Sequence, residues 1–238
     1  MFYKKVVKKK SKLNLPELRI KLDQVAERII SRLKDRSRYK LNKKIYIKDA
    51  ISIKNRRNIS FLEFALEGLE KYHDTLGRYN FPDQQPIIIK PFSRPPVKRI
   101  IPQTPIVKVK INIGKEIIRF YINSLKELCK PGDDPTTYGE TAYCDADIIQ
   151  LLNERINLGK YVAQAKLIFN PSLKGIKNRK KLEKKLRNLG REKEVFKKVK
   201  IITKRYGLNP KKVEKFFKWI IKETTKIEIE YLQKCFTK

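Results

Sequence analysis

Apolar residues recur at three- and four-residue intervals through most of this chain, the period of a helix with one buried side. Leu18, Leu22, Val25, Ile29 and Leu33 mark the first such helix. Pro16 opens it, in the first-turn position where a missing N–H costs nothing. Residues 37–59 lose the period and read as a basic, irregular connector. Ser60 with Glu63 forms a capping box, and Phe61, Phe64, Ala65, Leu69 and Tyr72 are expected on the inner side of the helix that follows. Residues 81–105 hold seven of the twelve prolines and predict a long wrapped segment. IVKVKINI, 106–113, alternates with period two and reads locally as a strand.

A further helix is expected from about Lys115 to Cys129, ended by PGDDP. Asp145 or Asp147 is expected to cap the next, which runs to about Phe169. Two shorter helices follow near 178–188 and 191–206. Asn209-Pro210 starts the last one, whose apolar side carries Val213, Phe217, Ile220, Ile221, Ile227 and Tyr231. With no internal repeat and no Gly/Ser linker, the expectation is all-α. It is a multi-helix bundle with a long proline-rich connector, a basic N-terminal arm at 1–12 and one helical domain at 13–238.

Composition narrows the class. The 58 Lys and Arg against 25 Asp and Glu give a net charge of +33, a field that attracts anions. Nucleic acid would be held only loosely, through phosphate contacts. Lys and Arg are spread along the whole chain rather than along one stripe. No specific nucleic-acid partner is therefore expected, although a basic helical nucleic-acid-binding protein without catalysis is the leading rival reading. Cys129, Cys144 and Cys235 lack metal-ligand spacing and fit free thiols in a reducing cytoplasm. The single histidine, His73, argues against His-rich metal sites and is expected to be structural. No metal is expected. No apolar run approaches the roughly 20 residues of a membrane span, and the start, MFYKKVVKKKSK, lacks the apolar core of a signal peptide.

Polar groups interrupt several apolar stripes. Arg19 falls beside Leu22 and in line with Ala26 and Ile30, where it either snorkels outward or meets an anion within. Arg155 and Lys166, eleven residues apart, return to nearly one direction on a helix, with Gly159 and Val162 between them. Thr224 and Glu228 are neighbours on the last helix, in line with Ile220 and Tyr231. Glu192 precedes Val195, Val199 and Ile202 on an inward stripe, and Asn188 is placed to cap that helix. A lone buried carboxylate is costly, so Glu228 must be paired or take up a proton.

At these residues the sequence resembles the all-helical chorismate mutases of fungi and plants, over about residues 13–235. LPELRIKLDQVAERIISRLKDRS resembles that family's first helix, and FLEFALEGLEKYHDTLGRYNFPDQQP its aromatic segment and Pro-Asp turn. YGETAYCDADIIQLLNERINLGKYVAQAKL and TTKIEIEYLQK resemble its most specific motifs. The resemblance implies an active site within the helices of one subunit, a homodimer, and the cofactor-free rearrangement of chorismate to prephenate in phenylalanine and tyrosine biosynthesis. It also implies roles. Arg19 and Arg155 would hold the substrate's two carboxylates, and Lys166 and Glu228 would flank the breaking ether oxygen. Asn188 and Thr224 would help orient a carboxylate, and Glu192 would accept from the ring hydroxyl.

One departure bears on regulation. Regulated members of the family bind aromatic amino acids at the dimer interface, near a Gly-Ser pair and two adjacent arginines. Here Glu140 follows Gly139, and Gly77 precedes Arg78 where the arginine pair would stand. A gained carboxylate and a lost cation both oppose an amino-acid carboxylate. The expectation is a degenerate effector site at Arg78, Gly139 and Glu140, with weak or absent regulation.

Overall fold

In a computed structural model that describes residues 13–81, 84–92, 94–97, 100 and 106–236, the chain folds among those residues as eight α-helices. The basic arm expected at 1–12 lies outside the described residues, as do parts of the proline-rich segment. The helices are α1 (Leu15–Arg36), α2 (Phe61–Thr75), α3 (Gly114–Leu128), α4 (Tyr138–Asn157), α5 (Gly159–Phe169), α6 (Arg179–Leu186), α7 (Leu189–Arg205) and α8 (Pro210–Phe236). α4 runs through the centre, packed by α1, α2, α3, α5 and α8. It is accordingly buried on most of its faces, with Ala142, Ile148, Ile149, Leu151, Leu152 and Ile156 in the core and Asp145, Asn153, Arg155 and Asn157 buried beside them.

The helix ends follow local rules. Ser60 and Glu63 form the complete reciprocal capping box of α2. The Asn188 side chain accepts from the Arg191 N–H at 2.9 Å, and that of Asn209 from the Lys211 N–H at 3.0 Å, each satisfying a first-turn donor. Gly207 ends α7 at φ +67°, a left-handed conformation that glycine adopts without strain.

Four expectations are corrected. The buried side of α2 is Leu62, Leu66, Glu70 and Asp74, while Phe64 and Tyr72 are exposed. Its polar half is occupied by the proline-rich segment. Glu70 accepts from the backbone N–H groups of Ile87, Ile88 and Ile89 at 2.5, 3.0 and 3.1 Å and from Gln150, and Asp74 accepts from Phe92 N–H at 2.6 Å. A proline-rich chain cannot satisfy its own amides in a ladder, and two buried carboxylates do so instead.

IVKVKINI is no strand. It has no regular secondary structure, with Ile106 and Ile111 buried, and the described residues contain no strand to pair with it. Asp145 caps nothing. It lies fully buried in the third turn of α4, where Arg36 Nε donates to it at 2.7 Å, Tyr46 at 2.7 Å and Tyr121 at 2.6 Å. The four remaining Arg36 protons go to the Lys40 and Leu41 carbonyls at 3.0 and 2.9 Å, the Tyr46 hydroxyl at 3.0 Å and Cys129 Sγ at 3.3 Å, so the buried pair is fully hydrogen-bonded. Finally, the helix expected to run unbroken to Phe169 is two helices, interrupted at Leu158.

Candidate active site

The break at Leu158 and the glycine after it bring α8 against α5. A side-chain carbon at position 159 would lie 2.9 Å from the Thr224 carbonyl oxygen and 3.2 Å from its methyl. Gly159 therefore permits a backbone approach that any other residue would block. α8 fills the space beside this glycine, and that contact sets Thr224 and Glu228 over the α4–α5 junction.

All seven residues expected at the site converge on one cleft. Arg19 comes from α1, Arg155 from α4, Lys166 from α5, Asn188 and Glu192 from the start of α7, and Thr224 and Glu228 from α8. The cleft is also lined by Leu15, Leu22, Val162, Val195 and Ile221. A lining that mixes apolar walls with a few convergent charged groups suits a small organic anion.

Arg155 is buried, and its Nε and Nη1 have no hydrogen-bond partner among the described residues. Buried guanidinium protons without acceptors are costly. Burial lowers the pKa of Arg155 to about 10, opposed by the nearby charges of Asp23 and Glu228, and the group remains protonated at neutral pH. Its neighbour on α5, Lys166, donates to Glu228 Oε2 and to the Leu186 carbonyl, both at 2.7 Å. Burial pushes the Glu228 carboxyl upward, and this outweighs the opposing pull of Lys166 and Arg155. The cleft thus offers fixed cations and one carboxyl biased toward its protonated form.

Three further groups complete the walls. Arg187 clasps Glu192 through two hydrogen bonds, at 2.9 and 2.7 Å. Arg191 also lines the cleft, bound to Asp23 at 2.6 Å. The Thr224 hydroxyl donates to the Ile220 carbonyl at 2.8 Å. Sequence reasoning missed Arg187, Arg191, Asp23 and the Leu186 carbonyl. Only Asp23 carried a signal, being one helical turn beyond Arg19.

The expected effector residues do not come together within one chain. Arg78 meets His73 Nε2 at 3.2 Å, Gln84 Oε1 at 3.3 Å and Glu154 at 3.8 Å. Gly139 and Glu140 lie in the first turn of α4, and Glu154 is about 21 Å further along that helix at its ordinary rise. His73 is half-buried and stands apart from the cleft. Burial first, then Arg78, lowers its pKa to about 4, which keeps the ring neutral near pH 7.

Comparison with known proteins points to one family. Residues 137–229 match the family model described as chorismate mutase type II. The chain is 29% identical to the chorismate mutase of Schizosaccharomyces pombe, over 93% of this chain and 96% of that protein. Among solved structures, the Candida albicans chorismate mutase Aro7p in complex with L-Trp superposes with a TM-score of 0.86 at 29% identity, over 92% of this chain and 90% of that one. AtCM1 with tyrosine bound in its allosteric site superposes with a TM-score of 0.81 at 30% identity, over 94% of this chain and 97% of that one.

Proposed function

The chain belongs to the type II, all-helical chorismate mutase family, and from that premise we propose that the cleft between α1, α4, α5, α7 and α8 binds chorismate and rearranges it to prephenate. The protein is an isomerase of that family. The single observation that carries the site assignment is Arg155, a buried guanidinium that lines the same cleft as Lys166 and Glu228 and has two nitrogens without a hydrogen-bond partner among the described residues.

The residue types suit the chemistry. The rearrangement is intramolecular and needs no nucleophile, metal or cofactor. Catalysis then has two parts. The first is to hold the enolpyruvyl chain folded over the ring, which removes much of the entropic cost of reaching the reactive shape. In this reading Arg155 and Arg19, on different helices, grip the two carboxylates, with Asn188 and Thr224 orienting one of them. The second is to stabilise negative charge that grows on the ether oxygen as its bond stretches. Lys166 donates there outright. Glu228 does so when protonated, the state its burial favours. Glu192, held by Arg187, accepts from the ring hydroxyl. Loss of chorismate absorbance on mixing with purified protein tests the reading. No loss, together with salt-sensitive retention on DNA, would favour the nucleic-acid alternative.

Two finer features belong to the same proposal. The protein acts as a homodimer, for which Phe64 and Tyr72 on α2, Leu76 just after it and Tyr143 on α4 are exposed apolar side chains. A mass near that of one 28.2 kDa chain in sedimentation would contradict this. Aromatic amino acids regulate it weakly or not at all, because Glu140 adds a carboxylate and Gly77 lacks a cation. Several-fold modulation of turnover by tyrosine or tryptophan would overturn that part. Cys129, Cys144 and Cys235 form no disulfide, which fits a cytoplasmic location.

A further inference from the structure

One ion pair ties the start of α7 to α1. Asp23 lies one turn beyond Arg19, on the cleft side of α1. Its Oδ1 accepts from Arg191 Nη2 at 2.6 Å and its Oδ2 from Lys198 Nζ at 2.6 Å. Arg191 is rigidly joined to the cleft in turn. Its backbone N–H donates to the Asn188 side chain at 2.9 Å, Glu192 is the next residue, and its own side chain lines the wall. The pair is sheltered, with side-chain exposures of 18% for Arg191 and 26% for Asp23. A further α1–α7 ion pair, Glu27 with Arg205, is far more exposed and lies at the opposite end of α7.

The position of the Asp23–Arg191 pair matters more than its strength. A partly exposed pair contributes little to global stability. This one, however, spans the two elements that carry Arg19 on one side of the cleft and Asn188 and Glu192 on the other. We propose that Asp23 and Arg191 are a positioning pair for the reaction: their contact fixes the first turn of α7 against α1 and so sets the width of the substrate cleft. This rests on the assignment of the cleft to chorismate.

The two partners are not equivalent. Asp23 is within electrostatic reach of the buried Arg155 and favours its charge, while Arg191 opposes it. Removing Asp23 leaves two guanidiniums repelling each other at one end of the cleft and drives the α7 turn outward. Removing Arg191 leaves Asp23 still matched by Lys198 and Arg155. Loss of the acid is therefore the more damaging.

Steady-state kinetics on chorismate test this with Asp23→Ala, Arg191→Ala and the double variant. KM rises about tenfold for Asp23→Ala and about threefold for Arg191→Ala, with kcat within about twofold, as expected for lost ground-state positioning. The double variant is no worse than Asp23→Ala, because coupled residues are not additive. Additive effects, or an unchanged KM in Asp23→Ala, overturn the proposal. Hydrogen exchange decides the clamp without substrate. Amides 189–193 exchange faster in Asp23→Ala with α8 unchanged, and equal rates in both regions overturn it. A wild-type protein inactive on chorismate would instead defeat the reading of the cleft itself.

Discussion

Lys166 bridges the cleft, donating to Glu228 on α8 and to the Leu186 carbonyl at the end of α6, each at 2.7 Å. Two fixed acceptors on different elements leave the ammonium one direction in which to turn its third proton. An ammonium oriented in this way is preorganised to meet charge developing on a substrate oxygen.

Lys166→Ala is therefore expected to lower kcat by roughly 10²–10³, the usual loss when one such donor is removed. Binding of a non-reactive dicarboxylate analogue should weaken far less, since Arg19 and Arg155 remain. Single-turnover kinetics alongside calorimetric titration separate the two. Equal losses in turnover and affinity would show that Lys166 serves binding as much as the transition state.

Glu228 carries a pH signature. Burial holds its carboxyl above the ordinary glutamate range, despite Lys166 and Arg155. The donor form is therefore present at low pH and lost as pH rises through the raised value, and kcat falls with it. Stability follows the same sign: the contribution of the neutral carboxyl is complete below the unfolded glutamate value and disappears as pH climbs through the folded one. Glu228→Gln cannot ionise, so its pH–rate profile and its Tm-against-pH curve should both flatten over that window. Curves that keep the wild-type slope would rule out Glu228 as the titrating donor.

The period of apolar residues made the helices legible, and the special pairs made the ends legible: Ser60 with Glu63, and Asn209 before Pro210. The site was legible because a polar residue on an apolar stripe is costly to bury unless it is paired or meets a ligand. What escaped reading was burial satisfied by distant polar partners. The α2 stripe of Leu62, Leu66, Glu70 and Asp74 looked like an outer face because half of it is carboxylate, and its partners are backbone amides from Ile87 to Phe92. Asp145 falls on the α4 stripe of Ala142, Ile149, Leu152 and Ile156, and Arg36 is one heptad beyond Ile29. Both positions signalled burial, but nothing local showed that they meet. The break at Leu158 was hidden for a related reason, since it answers to α8 rather than to its own neighbours.

The Arg36–Asp145 pair gives a purely structural prediction. Both side chains are fully buried, and Tyr46, Tyr121 and the Lys40 and Leu41 carbonyls close around them. Asp145→Asn leaves an uncompensated guanidinium in the core and should cost roughly 3–5 kcal/mol, the usual penalty for breaking a buried pair from one side. Denaturant unfolding would measure it. KM and kcat of the folded variant should remain close to wild type, because the pair lies outside the cleft. A large loss of kcat at full folding would mean that this network reaches the substrate.

Arg155 should behave in the opposite way. Asp145 has partners for both carboxylate oxygens, whereas Arg155 Nε and Nη1 have none among the described residues. Holding a buried guanidinium so is unfavourable in the free protein and becomes favourable only when an anion supplies the missing acceptors. Arg155→Met keeps much of the volume and removes the charge. It is expected to stabilise the free chain by roughly 1–4 kcal/mol, the range seen when buried charges give way to packed apolar groups. At this chain length that is a rise of several °C in Tm, about 2–4 °C per kcal/mol. The same variant should lose measurable affinity for a dicarboxylate analogue. Thermal unfolding and calorimetry on one preparation test both halves together. A lower Tm would make Arg155 a structural residue, and a higher Tm with analogue binding intact would move the carboxylate site elsewhere in the cleft.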